Sequence, residues 1–405
     1  MKNNINILKD CYGCGVCTAV CPEKIIDIIE NGKGFYVPAI SDDEKCIECG
    51  LCLKVCSYNH KEPAPNGESP ECFAGWSNDR IIRKRCSSGG VGFEIGKKLL
   101  DRGYRICGVR YNIENQRAEH FIANGIKDLS LTIGSKYIQS FTQDAFMSIS
   151  HSEKYLVTGT PCQIDSFRRL IRHFNIEENF ILLDFFCHGV PSLLLWREYL
   201  HEVEEKIGKI GYIEWRNKSH GWHNSYNMGF DHATEHSKGM QGDNVDEYPD
   251  CHHFYHSTRE SGDWFYKFFL GNYCLNKCCY RSCKYKLLSS SADIRIGDMW
   301  GELYKDNDFG VNAVVAFTDK GKALMKDLKS CAFDSIEDNV VTDGQMRRSP
   351  AFPAIYNAVV KSFGSGTSLE KVYRTLILPY QILRIPIRAV NKLCKMLRIP
   401  PIFNK

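Results

Sequence analysis

Two short cysteine runs constrain this chain more than anything else in it. "CYGCGVCTAVCPEK" sets Cys11, Cys14, Cys17 and Cys21 with two, two and three residues between them, and Pro22 follows the fourth. "CIECGLCLKVCSYN" repeats the spacing at Cys46, Cys49, Cys52 and Cys56, with Ser57 in the place of the proline. Each run must curl a loop around a common centre. Gly13, Gly15 and Gly50 permit the close backbone approach that such a loop requires. Twenty cysteines in 405 residues would also suit a secreted disulfide scaffold. However, "MKNNINILKD" lacks the apolar core and small-residue cleavage site of a signal peptide, and no run reaches the roughly 18–20 apolar residues of a spanning helix. The expected location is cytoplasmic, where clustered cysteines serve as metal ligands or catalytic groups rather than bridges.

The doubled run is the one with which bacterial two-cluster ferredoxins hold cubane iron–sulfur centres. Short spacings let one loop wrap three irons, and the fourth cysteine crosses to the other cluster. The expected ligand sets are Cys11, Cys14, Cys17 with Cys56, and Cys46, Cys49, Cys52 with Cys21. Two zinc sites are the alternative, but zinc motifs rarely double a three-cysteine run with a distal fourth ligand. Residues 1–60 therefore read as a two-[4Fe–4S] ferredoxin domain. The Pro-rich "KEPAPNGESPE", 61–71, reads as a linker.

From residue 72 the texture becomes α/β. "ECFAGWS", "YRICGVRYN", "KYLVTG" and "NFILLDFF" read as strands, and several feed helices through tight turns. The pattern predicts a largely parallel sheet with ligands outside the strand C-termini. Three turns carry chemistry. "CSSGGVG" can turn backbone amides toward a phosphate. "TGTPCQ" joins hydroxyls, a glycine and a thiol, and "FFCHGVPS" brings Cys187, His188 and Ser192 to an equivalent place. Buried cysteines at such turns can also be plain packing groups. No G-x-G-x-x-G follows any strand.

"SSGGV", "GTPCQI", "CHGVPS", "RNKSHGW" and "SADIRIGDMWG", in that order over residues 72–320, resemble the coenzyme F420 hydrogenase/dehydrogenase beta-subunit family. The resemblance divides the body into an N-terminal-like region at 72–150 and a C-terminal-like region at 151–330, ahead of a helical extension with a basic tail at 331–405. It implies a flavoprotein, with FAD coupling a two-electron hydride carrier to one-electron clusters. The residues expected to hold the flavin are Ser87, Ser88, Gly89, Gly90, Thr158, Gly159, Thr160 and Gln163, with Lys218 supplying positive charge. The expected fold is α+β/α/β: a bacterial-type ferredoxin domain, an α/β flavin-binding catalytic domain and a basic helical tail.

"NYCLNKCCYRSCKYK" adds Cys274, Cys278, Cys279 and Cys283. Family members show a Cys-Tyr-x-Cys run here, one residue shorter than this Cys279–Cys283 spacing. A third [4Fe–4S] cluster is expected from Cys187, Cys274, Cys279 and Cys283, with Cys162 as another strand-end donor; zinc or free thiols are the alternatives. "DCHHFYH" reads as a surface loop. Asp298 in "ADIRIGDMWG" either shapes the cofactor loop or caps it.

Residues 371–405 hold eight Lys or Arg and no acid, leaving 44 basic against 48 acidic residues elsewhere. Leu376, Ile382, Ile385 and Leu393 against Arg384, Arg388, Lys392 and Lys395 suit an anionic membrane surface or an acidic partner, with prolines excluding one long helix. No nucleic-acid module accompanies these charges. The expected function is an iron–sulfur flavoprotein oxidoreductase with a redox-partner protein or a small hydride carrier. The alternatives are a ferredoxin-linked reductase of surface-polysaccharide synthesis that does not use F420, and a non-catalytic electron-transfer subunit.

Overall fold

The computed structural model describes residues 3–67, 69–232, 255–259, 261–280 and 283–385. Cys251, His252, His253 and residues 386–405 of the basic tail lie outside this set. In the N-terminal module, strands β1 (Ile26–Glu30) and β2 (Tyr36–Ile40) form an antiparallel hairpin between the two cysteine loops. Each loop turns into a short helix, Val16–Val20 or Leu51–Lys54, through a left-handed glycine: Gly15 at φ 76° and Gly50 at φ 71°. That conformation is costly for any side chain with a Cβ.

The body is built on one mixed sheet. Its strands are β3 (Glu71–Ser77), β4 (Arg105–Asn112), β5 (Arg117–Ala123), β6 (Ser140–Phe141), β7 (Tyr155–Thr158) and β8 (Phe180–Phe185). A separate antiparallel trio follows: β9 (Ile210–Glu214), β10 (Asn227–His232) and β11 (Tyr255–Thr258). The chain then returns to the main sheet with β12 (Ile294–Asp298), β13 (Asn312–Ala316) and β14 (Cys331–Ser335). The nine-stranded order is β14-β3-β13-β12-β8-β7-β4-β5-β6.

The centre, β12-β8-β7-β4, is the expected parallel array, and the edge pair β5/β6 is parallel as well. The β4/β5, β12/β13, β13/β3 and β3/β14 pairs are antiparallel. The β4–β5 connection, residues 113–116, is too short for the crossover that a parallel pair needs. One sheet spans both expected regions of the body, so residue 151 separates no layers, and β14 belongs to the sheet rather than to a helical extension. Buried ion pairs pin its middle. Arg295 grips Asp184 through two bonds of 2.7 Å, and Arg168 holds Asp293 at 2.8 Å.

The N-terminal module is not a pendant. Val16, Val20, Leu53 and Val55 share a core with Phe146, Ile164, Phe167 and Leu170 of the body. The expected linker is pinned as well. The Asp165 carboxylate accepts from Ala64 N at 2.9 Å, Arg169 Nε at 3.0 Å, Ser291 Oγ at 3.2 Å and Tyr285 OH at 2.5 Å. At the other end, helical structure runs from Leu369 to Leu383 through Pro379. A π turn at Tyr373–Ile377 precedes the proline, so Pro379 does not break the helix as expected; a wide turn accommodates the missing N–H. Leu378, Ile382, Leu383 and Ile385 are exposed there. No helix among the described residues is long and apolar enough to cross a membrane.

Asp165 is fully buried, and removing it strands several donors at once. Asp165→Ala is expected to cost about 3–5 kcal/mol, read as a lower denaturant midpoint in anaerobic urea titrations.

Candidate functional site

The N-terminal cysteines gather as two sets that cross between the runs. Around Cys17 the neighbouring sulfurs are Cys14, Cys11, Cys56 and Cys52, and Cys11 faces Cys14, Cys56 and Cys278. Cys21, Cys46, Cys49 and Cys52 line a separate small hollow. The two sets differ in depth. Cys14, Cys17 and Cys56 are buried and Cys11 half-buried, whereas in the second set Cys52 is buried, Cys21 and Cys46 are half-buried, and Cys49 is exposed beside the exposed Ile47. Burial first, and then the Cys56 sulfur, push the Cys14 thiol up to about 12. Sulfurs crowded in one dry pocket repel as thiolates, which is the electrostatics that a polynuclear iron cation relieves. No three Cys, His, Asp or Glu side chains among the described residues converge as a single metal ion requires. A cubane spreads its four ligands around a larger centre, so the donor set fits iron–sulfur clusters.

A second gathering is internal. Cys162, Cys187, Cys279 and Cys283 line one small pocket, whose wall is completed by Tyr12 and Gly13 from the first cysteine loop. Gly189, at φ 140°, faces Cys279 so closely that a Cβ would sit 3.1 Å from that residue's Cβ. Burial pushes the Cys187 thiol up to about 11. Cys274 is not in this company, which corrects the expected set. It is wholly buried in the aromatic core with Tyr280 and Tyr356, and its carbonyl accepts Ser192 N at 2.8 Å. Cys279 ends the 3-10 turn Lys277–Cys279 and lines the pocket. Cys162, at the head of the helix Pro161–His173, stands in the place of Cys274. Cys278, which points away from Cys279, reaches toward Cys11 instead.

Beyond this pocket opens a cavity of about 660 Å³. Ser87, Ser88, Gly90, Thr158, Gly159, Thr160 and Gln163 all line it, as expected of one site. Gly90 caps the helix Val91–Asp101 at φ 88°. Gly89 lies against β3, where a Cβ would come within 2.4 Å of Gly75 O. A capping box fixes the second turn: Gln163 Oε1 accepts Thr160 N at 2.8 Å, and the Gln163 amide donates to Ser140 Oγ at 3.1 Å. Lys218 does not line the cavity. Its ammonium donates to the carbonyls of Arg83, Ser88 and Phe309 at 2.6–2.7 Å, so it braces the serine–glycine loop from behind. Burial lowers its pKa to about 7. Lys136 is similarly buried but lines the cavity, capping the carbonyls of Leu131, Thr132 and Ile133.

The opposite wall was not anticipated. Tyr137, Tyr226 and Trp300 form a near-parallel row, with centroids 6.1 and 6.2 Å apart. Trp222 stacks behind Trp300 at 5.5 Å. Arg216 is buried against this row, 4.5 Å above the Tyr226 ring, and is paired with Asp298 at 3.0 Å. Asp298 therefore anchors the wall rather than capping a loop. The only sequence signal was the density of aromatics around "RNKSHGW" and "GDMWG", which carries no pairing information.

Cysteine sets of this kind beside a large cavity define an iron–sulfur electron-transfer protein. Residues 10–60 match the family described as 4Fe-4S dicluster domain. Residues 152–338 match the family that describes the C terminus of the coenzyme F420 hydrogenase/dehydrogenase beta subunit. Among curated proteins of Methanocaldococcus jannaschii, an iron-sulfur subunit of the CoB–CoM heterodisulfide reductase is 40% identical over 58 residues, 11% of this chain and 9% of the relative. An uncharacterized protein from the same organism is 24% identical over 208 residues, 43% of this chain and 56% of the relative. The chain thus spans about a tenth and just over half of these relatives. The F420-reducing [NiFe] hydrogenase complex of Methanosarcina barkeri includes a chain similar to this one, with TM-score 0.44 and 14% identity, covering 82% of this chain and 96% of that one.

His120 sits on β5 behind the second turn and donates Nε2–H to Thr158 O at 2.9 Å, while its buried Nδ1 has no partner. Burial depresses its pKa to about 4. The unfolded chain takes up this proton near pH 6.5, whereas the folded chain resists until about pH 4. Stability is therefore lost as pH falls through that window. Thermal unfolding at pH 7 and pH 5 should show a smaller drop for His120→Gln than for wild type.

Proposed function

We propose that this chain is an iron–sulfur flavoprotein oxidoreductase. In this reading, Cys11, Cys14, Cys17 and Cys56 hold one [4Fe–4S] cluster, and Cys21, Cys46, Cys49 and Cys52 hold a second. Cys162, Cys187, Cys279 and Cys283 hold a third, and FAD occupies the large cavity. One observation carries the reading: the Cys162 pocket touches the first cysteine loop through Tyr12 and Gly13, and shares Thr160, Gln163 and Gly189 with the cavity. The candidate centres thus form a series from the exposed Cys49 face to the cavity.

The cavity volume falls within the roughly 300–1,000 Å³ of ordinary ligand sites. Its serine–glycine turn opens a helix whose dipole favours phosphate, with the Val91 amide already donated to Asn312 Oδ1 at 3.1 Å. When bound, FAD would supply the exchange between a two-electron hydride donor and one-electron clusters. The protein's part is to hold that turn rigid through Lys218, to fix Thr160 through Gln163, and to present the Tyr137–Trp300 row to a planar substrate. Reduced F420 is one such substrate, suggested by the family's description. The exposed Cys49 and Ile47 offer a contact face for a redox-partner protein. This face also supports the second reading, a partner-dependent electron-transfer subunit. The helix face at Leu378–Ile385, continued by a basic sequence, suits peripheral contact with an anionic membrane.

Anaerobic iron, sulfide and flavin analysis tests the proposal. About twelve irons and one FAD per chain are expected on four-iron logic. Cys162→Ser should lose about four irons and Cys274→Ser none. Flavin bleaching by reduced F420 or NADH alone distinguishes an enzyme from a subunit that requires its partner. Eight irons without flavin would overturn the reading.

A further inference from the structure

Among the described residues, each N-terminal cysteine set makes one side-chain hydrogen bond at sulfur, and the two partners come from different parts of the chain. In the exposed set, Asn4 Nδ2 donates to Cys46 Sγ at 3.3 Å. Asn4 is buried, and its Oδ1 accepts Asn6 N at 3.0 Å, which fixes the amide orientation. In the buried set, Cys14 Sγ lies 3.2 Å from Ser166 Oγ, and Ser166 is fully buried in the helix that begins at Pro161.

The direction of the second bond follows from its surroundings. Ser166 Oγ already accepts the Ser57 N–H at 2.9 Å. The carbonyl one turn back, Cys162 O, accepts the Ser57 hydroxyl at 3.0 Å. A cysteine that ligates iron gives up its proton, so Cys14 can then only accept, and the Ser166 hydrogen is left to point at its sulfur. A donor at a ligand sulfur stabilises the extra negative charge of the reduced cluster and so raises its potential. Burial works in the opposite direction, since a dry pocket disfavours the more negative state. The buried set bears that penalty more heavily than the exposed one.

We propose that Ser166 is a positioning residue that raises the reduction potential of the Cys11–Cys14–Cys17–Cys56 cluster, offsetting its burial, and that Asn4 does the same for the second cluster. The assignment rests on the cluster ligation proposed above. Its location has a further meaning, because Ser166 lies one helical turn from Cys162. The helix that supplies a sulfur to the third set thereby also adjusts the first.

EPR-monitored potentiometric titration of the full chain tests this. Ser166→Ala should lower one midpoint and leave the others in place. The expected size is about tenfold in the reduced-to-oxidised ratio at fixed potential, or ~59 mV for a one-electron couple. Ser166→Thr, which keeps the hydroxyl, should restore the wild-type value. Asn4→Leu should lower a different midpoint, and it carries the test by itself if the serine variants do not fold. Iron and sulfide are measured on every sample. Full cluster content with unmoved midpoints overturns the tuning role alone. A wild-type protein that shows no cubane signal overturns the ligation and this assignment together.

Discussion

The Asp165 carboxylate is the knot on which the arrangement depends. It is buried without exposure and takes hydrogen bonds from the segment joining the two modules, from its own helix, and from the segment that carries Cys283. Lys284 lies 3.4 Å away and brings positive charge. A lone buried carboxylate would be costly. Here it is satisfied by donors from regions more than a hundred residues apart. Holding those regions on one residue brings Cys162 and Cys283 to the same pocket, and it sets Ser166 against the N-terminal module.

The aromatic chemistry around this knot keeps water away from the sulfurs. Tyr12 meets Tyr58 edge-on at 5.4 Å and Tyr285 at 5.9 Å, and these rings pack with Cys278, Cys162 and Cys283. The phenol of Tyr285 is both a lid over the pocket and a donor to Asp165. A single side chain thus joins the polar knot to the apolar seal, so the two cannot be altered independently.

Much of this was legible in the sequence where the signal is local. The doubled cysteine spacing pointed to two crossed sets because it is the two-cluster ferredoxin run. Strand–turn–helix texture located the "SSGG" and "GTPCQ" turns, and both arrived at one cavity. Pairings set by distant residues were not legible. Nothing local tells β12 and β13 to run antiparallel, or places β14 beside β3. Cys274 read as a ligand because it is near Cys279 in the chain, yet it is buried in the aromatic core. Cys162, distant in sequence, has the right place in space. Lys218 read as a charge for a ligand, but three carbonyls claim its protons. The aromatic row depends on Arg216 and Asp298 meeting across 82 residues, which no periodicity encodes.

The common core of the N-terminal module and the body has a bearing on how such a molecule ages. Val16 and Leu53 lie in the same apolar cluster as Ile164 and Phe167. Damage by oxygen at the exposed Cys49 face is therefore not confined to a detachable part. A disturbance there bears on the helix Pro161–His173, which packs in that cluster and reaches the inner pocket and the cavity through Cys162 and Gln163.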